Sequence, residues 1–125
     1  MEIQNNNIPA IRLLRDDQGE SYFEKGNILT AKKIKSEDFW FANEIDEWQI
    51  GPHTAPRKQF VVTLSGKLKF TTSDDKSFII EPGIVLLAED IEGEGHIWEM
   101  IEGHKTWHRI YIPLVEESEM YFCKE

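Results

Sequence analysis

Gly51-Pro52-His53-Thr54-Ala55-Pro56-Arg57-Lys58-Gln59-Phe60-Val61-Val62-Thr63-Leu64-Ser65-Gly66 joins a proline-bearing turn to an apolar run that closes on a second turn. Side chains of an extended chain alternate between faces, so Gln59, Val61 and Thr63 share one side and Phe60, Val62 and Leu64 the other. Both sides carry apolar groups. Such a strand suits a two-layer roll, or an oligomer in which a partner covers one sheet.

The same grammar recurs outward from this run. Short apolar or alternating stretches span Phe39 to Ile45, Lys67 to Thr72, Ser77 to Ile80, Ile84 to Ala88, His96 to Ile101 and Thr106 to Ile112. They are separated by turn chemistry: Ser73-Asp74-Asp75, Pro82-Gly83, Gly93-Glu94-Gly95 and Gly103. Short strands at this spacing, with almost no helical periodicity, predict an all-β sandwich or closed barrel built from antiparallel hairpins. The tail after Pro113 reads as a short helix or one more strand.

The chain has 125 residues, no internal repeat and no linker-like stretch, which predicts one domain over residues 1–125 with its core at about 39–114. Fourteen basic against twenty-three acidic residues give a formal charge of −9, which repels phosphate backbones and anionic lipid. Nucleic acid and membrane are therefore not expected partners. The opening MEIQNNNIPA lacks a signal peptide's basic and apolar regions, and no apolar run approaches the roughly 18 residues of a membrane span, so the expected compartment is the cytoplasm. Cys123 is the sole cysteine, which excludes an internal disulfide or a thiolate metal cluster. No motif for a nucleotide cofactor is present.

The quoted stretch resembles the first motif of the cupin superfamily, with His53 at the first histidine, Gln59 at the glutamate and Gly66 at the closing glycine. Gly93-Glu94-Gly95-His96 is similar to the second motif, with Gly93 and His96 at its glycine and histidine. The chain departs from the family pattern at Ala55, where a second histidine is usual, at Gln59, at Ile91, where proline is usual, and at Met100, where asparagine is usual. The resemblance covers residues 39–114. It implies a cupin-type double-stranded β-helix, a jelly-roll barrel, with both motifs facing one interior pocket.

It further implies a divalent metal held by His53, Gln59 and His96. An amide oxygen binds such a cation less strongly than a carboxylate, so this is an uncharged set open to Zn, Ni, Fe, Mn or Cu, completed by water, Glu89 or His108. Each residue also has a plainer reading. His53 suits a solvent-facing turn, Gln59 an exposed position on an alternating strand, and His96 a satisfied core histidine. Arg57 is either a surface charge or a bidentate clamp for a ligand carboxylate. Glu89 and Asp90 read first as turn residues after the Ile84 to Ala88 run; acid/base work would require burial beside His96. Trp98 shares a face with His96 and serves as an apolar pocket wall.

Two functions follow. One is a small-molecule isomerase, lyase or dioxygenase, with the metal polarising an oxygen-bearing substrate and Arg57 positioning its anion, or with His96 and Glu89 acting as a metal-free acid/base pair. The other is a non-catalytic barrel that holds a small ligand. A homodimer is expected in either case, through the apolar face Phe60-Val62-Leu64.

Overall fold

A computed structural model describes residues 7–46 and 49–125. The described chain is all-β: β1 (Ile8–Arg15), β2 (Ser21–Ile28), β3 (Trp40–Ala42), β4 (Gln59–Ser65), β5 (Leu68–Thr72), β6 (Ser77–Ile80), β7 (Val85–Ala88), β8 (His96–Met100), β9 (His108–Pro113) and β10 (Phe122–Lys124). A 3-10 turn, Ser118–Met120, precedes the last strand, so the tail forms both a helical turn and a strand.

Seven strands form one sheet in the order β10-β2-β1-β7-β4-β9-β3, and β6-β5-β8 form a second. All pairings are antiparallel except that of β1 with β7. The two sheets pack over a core of Leu13, Val61 and Leu86 from the larger and Leu68, Phe70, Phe78 and Ile80 from the smaller. Burying side chains of this size stabilises the fold by about 1.5–3 kcal/mol each before chain entropy is set against it.

The expected closed barrel is corrected here: the sheets face one another without a continuous ladder around them. The physical reason lies in the segment leading into β4. Proline has no N–H to give to a ladder, and Pro52 and Pro56 flank His53. This segment therefore joins β8 through one isolated bridge, in which the His53 N–H donates to the His96 carbonyl at 2.9 Å and the His96 N–H donates to that of His53 at 2.8 Å.

The core also extends beyond residues 39–114. β1 lies inside the larger sheet and contributes Ala10, Ile11 and Leu13, while Tyr121 and Phe122 pack with Phe60 and Leu87. Phe60 is thus covered within the chain itself, 1% exposed under Tyr121. The face expected to pair two copies is not an open apolar surface: Leu64 remains exposed, but Phe60 does not.

Candidate active site

Strand alternation carries the site's parts to one place. From β4, Gln59, Val61 and Thr63 point into the core between the sheets, all buried, and Thr63 Oγ1 accepts from Trp107 Nε1 at 3.0 Å. From β8, His96 is buried and Trp98 half-buried on the same side. His53 enters from the bridged segment. His53, Gln59, His96 and Trp98 line one cavity of about 30 Å3, the space of a water or two.

The bridge itself depends on Gly95. Its φ of +74° belongs to the left-handed region, and a Cβ there would lie 2.2 Å from the His53 carbonyl oxygen. A side chain would occupy the space of the backbone that holds the two histidines together. The two imidazoles consequently meet edge to face with centroids 4.6 Å apart, and Phe70 stacks on His96 at 5.6 Å.

Beyond β7 the alternation continues through Leu86, Ala88 and Asp90 on the inner side and Leu87 and Glu89 on the outer side. Asp90 is fully buried. Its Oδ2 accepts from His96 Nδ1 at 2.5 Å and its main-chain carbonyl from the Ala55 N–H at 3.1 Å. Asp90 Oδ1 is buried with no hydrogen-bond partner among the described residues. The pair therefore keeps a proton along the line from Nδ1 to Oδ2, and Nε2 of His96 is the atom left to take or give one.

Glu89 does not reach this site. Its carboxylate is bound by Arg12 Nε and by the Ser118 hydroxyl, the latter at 2.8 Å, on the opposite side of the strand from His96. The reading of Glu89 as the partner of His96 is corrected by that one-residue parity, and Asp90 stands in its place. The sequence offers Asp90, like Glu89, first as a turn residue because the run ends at Ala88 by hydropathy; the inner face extends two residues further, and the burial beside His96 that acid/base work requires is found at Asp90. His108 is exposed and takes no part.

His53 Nδ1 lies 2.9 Å from the Gly51 carbonyl, a bond in which the ring nitrogen donates. Burial pushes the His53 imidazolium below its ordinary value of 6.5, and repulsion from His96 acts in the same direction; the Gly51 carbonyl and Asp90 oppose it. A carbonyl and a carboxylate on the Nδ1 atoms are the partners that metal-binding histidines use to aim Nε2. The third donor fails. Gln59 Oε1 accepts from an Arg57 guanidinium nitrogen at 2.9 Å, so a fixed cation already holds the amide oxygen, and a divalent ion there would meet like charge. Among the described residues no three His, Cys, Asp or Glu side chains converge as a metal would require. The residues present do not fit a resident metal.

Arg57 lies over Trp40, its guanidinium carbon 5.2 Å from the ring centroid. Both line a larger, more open cavity of about 350 Å3 beside the inner one, and Gln49, Pro56 and Tyr111 belong to the walls of both. Arg109 also faces this outer cavity. No motif marks Arg109 in the sequence, and alternation along Thr106 to Ile112 leaves open which face is inner; in the structure Trp107, Arg109 and Tyr111 turn inward and His108 is exposed.

No protein-family model, curated protein or solved structure matches this chain.

Proposed function

We propose that this chain is a cupin-type jelly-roll protein that acts on a small molecule by metal-free proton transfer at His96, oriented by Asp90. The observation that carries this reading is the buried Nδ1 to Oδ2 contact at 2.5 Å in the wall of a cavity shared with His53. A carboxylate on one ring nitrogen fixes the tautomer and supports the imidazolium that forms when the other nitrogen takes a proton. The inner cavity admits only the reacting end of a ligand, so the body of the molecule lies in the outer cavity, where Arg57 meets its anionic group and Trp98 walls the inner end. Proton abstraction beside a carbonyl is the reaction class this arrangement serves.

The test is hydrogen exchange. Small 2-oxo acids and ketoses are incubated in deuterium oxide with the full chain and with His96→Asn, and deuterium at the carbon next to the carbonyl is followed by NMR. Wild type is expected to exceed the variant by about 100-fold or more on its preferred compound. Equal rates across the panel would overturn the acid/base reading. The second reading, a non-catalytic ligand-binding protein, is favoured by the small inner volume of about 30 Å3.

A homodimer belongs to the same proposal. β3 is an edge strand flanked by Phe39, and its Phe41 is 71% exposed, an arrangement that unpaired edges in soluble proteins seldom keep. Light scattering at micromolar concentration tests it: twice the 14.6 kDa chain mass is expected, and the monomer mass would overturn it.

A further inference from the structure

The chain contains four arginines. Two are matched by acids: Arg12 lies against Glu89, Glu24 and Glu119, and Arg15 reaches Glu92 at 3.3 Å. The other two, Arg57 and Arg109, have no carboxylate within 4.0 Å among the described residues. They line the same outer cavity. In a chain with twenty-three acidic residues, two guanidiniums on one concave wall, neither within ion-pair distance of a carboxylate among the described residues, form a pattern that invites a negative charge from outside.

Arg109 makes the stronger case, because it is 2% exposed and a buried cation without a counter-charge is costly. Its Nε donates to the Tyr111 hydroxyl at 2.7 Å, and its terminal nitrogens donate to the carbonyls of Trp107 and Glu44 at 2.8 and 2.7 Å. A guanidinium carries five N–H donors. Those three bonds leave one on each terminal nitrogen, the number that a two-pronged contact with a carboxylate uses. The three acceptors are neutral and hold the group in place without cancelling its charge.

Between the two cations stands a pair of rings. Arg57 lies over Trp40, Trp40 and Tyr111 meet at 5.6 Å between centroids, and Arg109 lies 5.2 Å from the Tyr111 centroid. The wall thus reads cation, ring, ring, cation, with flat apolar surface between the charged ends. Glu44 and Asp46 also border this cavity, and their charges act against a polyanion. The arrangement therefore favours one carboxylate on a flat body over a phosphate or a tricarboxylate.

We propose that the outer cavity is a binding site for a small organic monocarboxylate, gripped by Arg57 and Arg109 and resting on Trp40 and Tyr111. This deepens the function proposed above and rests on its placing of the ligand's body in the outer cavity. Benzoate is the probe. It is titrated into the full chain while the arginine Nε–H signals are followed by nitrogen-15 NMR, with benzamide as the neutral match and inorganic phosphate as the competing anion.

Benzoate is expected to shift the Arg57 and Arg109 signals, benzamide to leave them in place, and Arg57→Met to weaken benzoate about tenfold or more. Arg109→Met should do the same; because Arg109 is also part of the core, Arg57→Met carries the test if the Arg109 variant does not fold. Benzoate binding no tighter than benzamide, benzoate binding indifferent to Arg57→Met, or phosphate binding where benzoate does not, would each overturn the site. The two readings fail separately. Benzoate binding retained in His96→Asn alongside loss of deuterium exchange supports both, whereas exchange that persists with no benzoate response overturns the carboxylate site alone.

Discussion

His96 donates through Nδ1 to Asp90 Oδ2, and the two residues come from opposite sheets: Asp90 extends the inner face of β7 and His96 opens β8. Both are buried, and the Asp90 main chain simultaneously holds Ala55 in the segment that carries His53. The contact therefore ties the sheets together at the point where their ladder is interrupted. It also engages Nδ1 and so leaves Nε2 as the ring nitrogen without that bond, on a histidine that lines the cavity.

Replacing Asp90 should expose both roles. Asp90→Ala leaves a buried imidazole N–H without its acceptor, and a loss of about 1–3 kcal/mol is expected in urea unfolding. Asp90→Asn keeps the shape and removes the charge, so the far-downfield Nδ1 proton signal of His96 should disappear from the NMR spectrum. A signal that survives Asp90→Asn would show that the proton is held elsewhere.

Metal content is predicted to be negligible in the wild type and recoverable by redesign. Arg57→Met with Gln59→Glu removes the fixed cation and supplies a carboxylate beside two imidazoles whose Nδ1 atoms are already engaged. Elemental mass spectrometry after zinc loading should give near-stoichiometric metal for the double variant alone. Stoichiometric zinc in the wild type would refute the role given to the Arg57 to Gln59 contact.

The close approach at Gly95 predicts that Gly95→Ala is destabilising by about 2 kcal/mol or more, from positive φ and overlap with the His53 main chain combined. Gly83→Ala is the control. It shares a positive φ, but a Cβ there meets nothing within 4 Å, so its loss should be smaller. Equal losses would mean that φ alone, and not the His53 contact, sets the cost.

Stability should depend on pH through His53, whose value in the folded chain is pushed below 6.5 by burial. Between that lowered value and 6.5 the unfolded chain binds more protons than the folded one, so stability rises with pH across the window. Acidification from neutrality thus weakens the fold as pH falls past 6.5, and the effect levels off below the folded-state value. His53→Asn should flatten this slope in urea titrations taken at successive pH values; a slope unchanged by the substitution would assign it to other groups.

Glu89 serves as a contrast between scaffold and site. Glu89→Ala removes one of the three carboxylates around Arg12 and the acceptor of the Ser118 hydroxyl on the outer side of the larger sheet. A loss of about 1–3 kcal/mol is expected, the cost of hydrogen bonds left unmade at a largely buried position, with the His53 and His96 NMR signals unmoved. Shifts at those histidines would place Glu89 in the site after all.

Period-two hydropathy sufficed to place the strands from β4 to β9 and to say which residues share a face, because each of these strands buries one side against a core and alternation records that burial directly. The motif resemblance, not the alternation, brought His53, Gln59 and His96 to one interior, and alternation added Trp98 on the face of His96. β1 was not legible in the same way: Ile8-Pro9-Ala10-Ile11-Arg12-Leu13-Leu14-Arg15 is covered on both sides by other parts of the chain, so it shows no clean alternation. Tertiary structure alone decided that Asp90 and not Glu89 meets His96, that Arg57 takes the Gln59 oxygen, and that Arg57 and Arg109 converge on one cavity. The first and the last of these join different strands or loops through register and sheet packing, while the Arg57 to Gln59 contact, two residues apart in sequence, goes with the seat of Arg57 over Trp40 of β3; a linear pattern of polarity holds no record of which groups will find one another.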